Sequence, residues 1–235
     1  MNACQAPPIS PGKTRPVPHR RHTEVWIFDL DNTLYPAHCN LFDQVDRRIG
    51  EFIAAKLNLD STEARLLQKK YFRDYGTTLS GLMQNHAIKP ADYLDYVHDI
   101  DVSGLPDGTD LDRALSRLDG RKLIYTNGST QHAKNVMHQL GITQHFEAIF
   151  DIVASDYRPK PNPAPYTLMM RLHEIDPVRA VMIEDIARNL IPAAALGMAT
   201  VWVRTQHDWS HTDSDGDHVH HAIDDLVEWL EALPN

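Results

Sequence analysis

The chain has 235 residues, of which 42% are hydrophobic and 23% charged, and its formal net charge is −9. This is ordinary globular usage, with enough chain to bury a core without staples as one medium domain or as a core with a smaller insertion. The acidic balance repels a phosphate backbone, so polymeric nucleic acid is excluded as the expected partner, and no apolar run reaches the ~20 residues a membrane helix needs.

Taken in order, residues 1–22 combine prolines with basic residues and contain no continuous apolar segment. They are expected to form a disordered leader rather than a secretory signal. Cys4 lies in it, and the second cysteine is Cys39. No structural bridge between them is expected, which fits a reducing, cytoplasmic location. Glu24-Val25-Trp26-Ile27-Phe28 is a short run of β-branched and aromatic residues and reads as a buried strand, ending in the loop chemistry of Asp29-Leu30-Asp31-Asn32-Thr33. Phe42, Val45, Ile49, Phe52 and Ile53 then fall on one helical face, and Ser61 or Thr62 is placed to cap a second helix ending near Tyr75. Shorter helices are predicted over 79–86 and 90–97. Residues 36–104 hold no convincing strand and read as an all-helical insertion.

Alternation follows. Helices are predicted over 111–118, 131–140, 164–172 and 186–196, with Gly141 and Gly197 as left-handed caps. Strands are predicted over 122–125, 148–153, 180–183 and 199–203. Strands separated by helices of this length imply parallel βαβ units. The expected fold is therefore α/β, a doubly wound parallel sheet built from 23–35 and 105–235, with a helical cap over 36–104 inserted after its first strand. Residues 207–221 carry five histidines and several aspartates and read as a solvated loop; their spacing matches no standard metal site. A last amphipathic helix is predicted over 224–233.

Ligands of open α/β sheets bind beyond the carboxyl ends of the strands. There this sequence supplies Asp29, Asp31 and Thr33, then Thr126 and Asn127, then Lys160, then Glu184 and Asp185. Carboxylates, a hydroxyl, an amide and an ammonium together suit phosphate chemistry. Two unit charges ~4 Å apart repel by about 4 kcal/mol at an effective dielectric near 20, so such carboxylates converge only around a cation or a retained proton. Mg²⁺ is the natural choice, being hard and oxygen-seeking. Asp29 and Asp185 are the expected side-chain ligands, Asp31 offers its backbone carbonyl, and Glu184 is either a ligand or an outer support. Taken singly, each Asp also reads as a helix cap, Lys160 as an exposed loop lysine and Thr126 as a cap residue. Ser129 is a competing cap that frees Thr126 for the site. No Gly-x-Ser-x-Gly elbow and no Walker loop occur, which argues against a serine hydrolase and a P-loop nucleotidase.

The ordered set Asp29-Leu30-Asp31-Asn32-Thr33, Thr126-Asn127, Lys160 and Glu184-Asp185 resembles the four motifs of the haloacid dehalogenase-like hydrolase superfamily. Asp29 through Tyr35, with the aromatic stretch from Tyr71 to Leu82, further resembles its pyrimidine 5′-nucleotidase-like branch. The resemblance implies a Mg²⁺-dependent phosphomonoesterase acting on a small phosphorylated metabolite, a nucleoside monophosphate such as UMP or CMP. Asp29 is then the nucleophile, passing through an aspartyl phosphate. Asp31 is the general acid and base, kept protonated by nearby negative charge. Lys160 and Mg²⁺ offset phosphoryl charge, and Thr126 and Asn127 hold its oxygens. Tyr35, Tyr71 and Tyr75 are the expected contacts to base or sugar, or else pack within the cap. A sugar-phosphate phosphatase or mutase of the same fold and a catalytically silent binding protein are the alternatives. C–halogen hydrolysis is disfavoured by Asp31, because halide leaves without a proton.

Overall fold

The computed structural model describes residues 17–234. Its centre is a six-stranded sheet in the order β3-β2-β1-β4-β5-β6, parallel at every pairing. The strands are β1 (Val25–Phe28), β2 (Arg121–Tyr125), β3 (Ala148–Phe150), β4 (Ala180–Glu184), β5 (Ala199–Val203) and β6 (His221–Ile223). β1 is buried along its whole length, as a strand covered on both faces must be. Trp26 and Phe28 point into one apolar layer, and Val25 and Ile27 into the other.

Helices α1 (Leu41–Leu57), α2 (Ser61–Tyr75), α3 (Thr78–His86) and α4 (Pro90–Val97) follow β1 along the chain, before β2. Residues 36–104 contain no strand. These helices share an apolar cluster of their own, built on Val45, Phe52, Ile53, Leu82 and Tyr93. The later helices are α5 (Thr109–Ser116), α6 (Thr130–Gln139), α7 (Pro163–Leu172), α8 (Leu190–Leu196) and α9 (Leu226–Ala232). They cover the sheet, giving the doubly wound α/β arrangement expected. No described helix is long and apolar enough to cross a membrane.

Several expectations need correction. Residues 1–16 of the expected leader lie outside the described residues, but residues 17–22 are not a free tail. Arg20 is buried, its backbone N–H donates to Pro234 O at 3.0 Å, and its guanidinium donates to Leu230 O at 2.9 Å and to Glu231 O. A buried guanidinium needs such carbonyl partners, and the last turn of α9, which extends to Ala232, supplies them. The histidine-rich stretch is not wholly a solvated loop. His221 opens β6, and Ser210, in the 3₁₀ turn Asp208–His211, is fully buried. α2 is capped by Asp60, one residue before the predicted caps. Asp60 accepts from the backbone of Thr62 and Glu63 while Glu63 reaches back to its N–H, a complete capping box.

Candidate active site

The chain runs β1, β2, β3 outward to one side and then returns to place β4 on the other side of β1. The loops after β1 and β4 therefore diverge and leave a crevice at the carboxyl rim, where such sheets bind ligands. Phe28 is level with Ile124 of β2 and Ile183 of β4. Asp29 continues the ladder one step, its N–H donating to Ile183 O at 2.9 Å. Thr126 does the same on the other side through Phe150 O at 3.1 Å. Strand register thus brings Asp29, Thr126 and Glu184 to one rim.

Lys160 joins them from the loop after β3. Its backbone N–H donates to Asn127 Oδ1 at 2.9 Å. Its ammonium, 2% exposed, donates to Asp29 Oδ1 at 2.6 Å, Glu184 Oε2 at 2.5 Å and Tyr125 O at 2.9 Å. An ammonium has three donors, and all three are taken by the protein. Lys160 is therefore not the displayed loop cation of the sequence reading. It orders the carboxylates, and Asn127 orders its loop. Glu184 is committed in the same way, for its Oε1 accepts the Ile186 N–H at 3.2 Å.

Asp29, Glu184 and Asp185 bring one carboxylate oxygen each within 4.8 Å of one another, and all three residues are buried. Among the described residues one ammonium, that of Lys160, pairs with Asp29 and Glu184. Burial, then the charge of Glu184, push the Asp29 carboxyl up to about 7 against the opposing pull of Lys160. Burial, then Glu184 and Asp29, raise Asp185 well above the carboxylate range. Asp185 Oδ2 is buried without a hydrogen-bond partner among the described residues. Hard oxygens, surplus negative charge and one orphaned carboxylate oxygen fit a divalent cation such as Mg²⁺. Asp29 Oδ2 meanwhile accepts from Thr33 Oγ1 at 3.0 Å, and Asp185 O from Trp202 Nε1 at 2.7 Å, so both ligand candidates are held from behind.

The Asp31 carboxylate is turned elsewhere. Its Oδ1 accepts from Tyr35 Oη at 2.6 Å and lies 2.7 Å from Nε2 of buried His132, the third residue of α6. Burial raises Asp31, but the charge and hydrogen bond of His132, with the bond from Tyr35, outweigh it and hold the group below its ordinary value. Burial likewise works against the His132 cation, and the Asp31 charge outweighs it, raising His132. The expectation that nearby negative charge keeps Asp31 protonated is thus reversed: the pair shares its proton, with the imidazole the stronger holder. His98 stacks on His132 with ring centroids 4.6 Å apart and meets Ser129 Oγ at 3.0 Å through Nδ1. Ser129 caps α6, as predicted. Thr126 Oγ1 accepts the Gly128 N–H at 2.9 Å, which leaves its own hydrogen free to donate.

A cavity of about 500 Å³ opens from this rim toward α1, α2 and the Asp208–His211 turn. Of the tyrosines expected there, Tyr35 is spent on Asp31. Tyr71 packs under Gly81, where a Cβ would come within 2.4 Å of its ring, and bonds His86 at 2.7 Å. Tyr75 packs edge-on against Tyr71 with centroids 5.5 Å apart. Neither Tyr71 nor Tyr75 lines the cavity; Phe42, Phe72, His207 and Trp209 do. Phe72 is the direct neighbour of Tyr71, one helical step round from it, and the aromatic stretch alone does not say which ring faces inward. His132 carried no signal beyond its place in the first turn of a predicted helix.

Residues 23–197 match the family model described as haloacid dehalogenase-like hydrolase. The chain is 29% identical over 196 residues to Phosphate metabolism protein 8 of Saccharomyces cerevisiae, a match covering 76% of this chain and 60% of that protein's length. Among solved structures it resembles the HAD hydrolase YfnB of Bacillus subtilis bound to magnesium, with TM-score 0.59, 16% identity and coverage of 90% and 99% of the two chains. It also resembles a variant of CbbY of Rhodobacter sphaeroides in complex with xylulose-(1,5)bisphosphate, with TM-score 0.60, 21% identity and coverage of 88% and 96%. Both share the fold.

Proposed function

The chain belongs to the haloacid dehalogenase-like hydrolases, and on that premise we propose that it is a Mg²⁺-dependent phosphomonoesterase acting on a nucleoside monophosphate, UMP or CMP ahead of purine nucleotides. The observation that carries the reading is the meeting of Asp29, Glu184 and Asp185 around Lys160 at one rim of the sheet. The helical segment 36–104 then acts as the cap, since α1 and α2 wall the cavity above that rim.

In the proposed reaction the Asp29 carboxylate attacks phosphorus in line, forming an acyl phosphate as the P–O bond to the leaving group breaks. The alkoxide takes a proton from the Asp31–His132 pair. Asp31 then removes a proton from the water that attacks phosphorus, which returns Asp29 and releases inorganic phosphate. Lys160 fixes the Asp29 oxygen that does not react and balances its charge. In this reading Thr126 Oγ1 and the Asn127 backbone amide donate to phosphoryl oxygens. Mg²⁺, held by Asp29, Asp185 and the Asp31 carbonyl, would offset charge on the transferring phosphoryl group.

The test is release of inorganic phosphate from a panel of pyrimidine and purine monophosphates and sugar phosphates, with and without Mg²⁺. Mg²⁺-dependent release with UMP and CMP fastest is expected. Equal rates across the panel would defeat the nucleotide assignment and spare the phosphatase. Asp29→Asn, which keeps the shape but not the nucleophile, is expected to abolish turnover; undiminished rates in that variant would overturn the mechanism.

A further inference from the structure

The cavity has two chemically different ends. One is the carboxylate rim. The other is aromatic and is built from both parts of the chain. Phe42 of α1 and Phe72 of α2 approach Trp209, each with ring centroids 6.3 Å away, at 41° and 78°. His207 lies almost parallel to the Trp209 ring at 5.2 Å and 13°. All four side chains line the cavity and none is fully buried. An aromatic cluster that served only as core would be closed over. This one keeps ring surface open toward the reacting end.

The turn that carries Trp209 is held by hydrogen bonds and a ring contact. Ser210, with no exposed surface, donates to His207 O at 2.8 Å and pairs with Thr205 Oγ1 at 2.8 Å. His211 Nε2 meets Thr205 O at 2.7 Å, and the His211 ring packs edge-on against Trp202 at 5.0 Å. Trp202 in turn bonds the carbonyl of Asp185. The turn is thus tied to the carboxylate rim by a chain of contacts that ends on the buried Trp202–Asp185 bond, and a molecule held at one end is registered against the other. Arg65, Gln68 and Lys69 on α2 also line the space; all three bond Asp46, and Arg65 and Lys69 keep further N–H donors for the edge of a ring. A flat heteroaromatic group with polar edges suits this end, and an acyclic or purely polar leaving group leaves it unfilled.

We infer that Trp209, with Phe42 and Phe72, forms the subsite that binds the planar base of the substrate, and that this turn of the catalytic core, rather than the cap tyrosines, selects nucleotides over sugar phosphates. This rests on the phosphatase reading above and adds the residue that sets its selectivity.

The measured quantity is the ratio of kcat/KM for UMP to that for ribose 5-phosphate, which has the same phosphate and sugar without the ring. In Trp209→Ala the ratio is expected to fall about 10- to 100-fold, the range for loss of one stacked base, chiefly through KM of the nucleotide. Trp209→Phe keeps an aromatic face and should hold the ratio within a few-fold of wild type. Separately, uridine, which has no phosphate, should quench tryptophan emission saturably in the wild type and not in Trp209→Phe. An unchanged ratio in Trp209→Ala, or an equal loss for both esters, overturns the subsite. If no ester is hydrolysed, the phosphatase reading fails, and the uridine titration still decides whether the ring is bound.

Discussion

Asp31 is held by two partners, and the consequences differ for each. Tyr35 comes from the same loop, four residues on, whereas His132 comes from α6 and is fixed by the capping of that helix at Ser129. Both bonds fall on Oδ1, so together they fix the rotation of the carboxyl group. His132→Asn removes the longer reach and leaves Tyr35 alone to hold Asp31. We expect kcat to fall about 10-fold or more with KM little changed, because an acid–base group contributes about 10²- to 10⁴-fold and is only partly lost when misaligned. Tyr35→Phe should cost less, since His132 remains. Steady-state kinetics on both variants checks the order. His98, behind His132, governs stability instead. Burial, then the neighbouring His132 charge, push its imidazole down to about 3. A histidine lowered on folding is neutral in the folded state and protonates in the unfolded one, so its contribution is present above about pH 6.5 and is lost as pH falls below that. Over that window the wild type should lose up to about 1.4 kcal/mol per pH unit more than His98→Gln. Denaturation midpoints of the two proteins at pH 7, 6 and 5 read the difference, and parallel curves would remove His98 from the account. The site residues at the strand ends were legible because carboxylates after successive parallel strands must converge. His132 was not, because a helix position gives no hint of which strand-end loop it faces.

Among elements, the long helices and central strands were legible for the ordinary reason that apolar periodicity decides what is buried. α4 and β5 fall within the limits read from sequence, and most other boundaries move by one or two residues. The failures are local and share a cause. β6 is three residues, His221-Ala222-Ile223, at the end of a polar run, and it exists as a strand because β5 offers an open edge: Val201, Trp202 and Val203 pair with it. Pairing partners of that kind leave no trace in a short sequence window. Tyr71 and Phe72 are a second instance. Gly81 on α3 opens a slot against α2, and the ring that drops into it fixes the face of α2 that is left for the cavity. The same helix gives a test that is independent of catalysis. Asp60 caps α2 with two backbone bonds, and loss of such a cap typically costs about 1 kcal/mol. Asp60→Ala should lower unfolding free energy by about that amount with an unchanged denaturant slope, whereas Ser61→Ala, at the position the sequence suggested, should leave it within about 0.5 kcal/mol. A larger effect at Ser61 than at Asp60 would contradict the capping box.

At the scale of the whole molecule the protein faces an electrostatic conflict. A chain of net charge −9 buries three carboxylates against the single ammonium of Lys160, two more than it can balance, at the place where a dianionic ester must dock. The fold accepts this because β1 and β4 hold Asp29 and Glu184 by backbone register, and Trp202 holds Asp185 by its carbonyl. The side chains are left with no freedom to separate. Metal binding should therefore stabilise the folded chain, not only activate it. At Mg²⁺ a hundredfold above its dissociation constant the gain is about 2.7 kcal/mol, which for a chain of this size corresponds to a rise in Tm of about 5–10 °C. Sodium chloride at matched ionic strength screens surface charge but offers no ligand-sized divalent ion, and it should give a much smaller, non-saturating change. In Asp185→Asn the orphaned oxygen no longer carries charge. The metal-free protein should then melt higher than the metal-free wild type, because one member of a repelling cluster is gone, while the saturable Mg²⁺ response disappears. A thermal melt across a Mg²⁺ titration of both proteins separates these effects. A metal-free Asp185→Asn that melts lower than wild type would mean that the carboxylate is held by the fold for packing rather than for an ion, and the cluster would lose its reading as a metal centre.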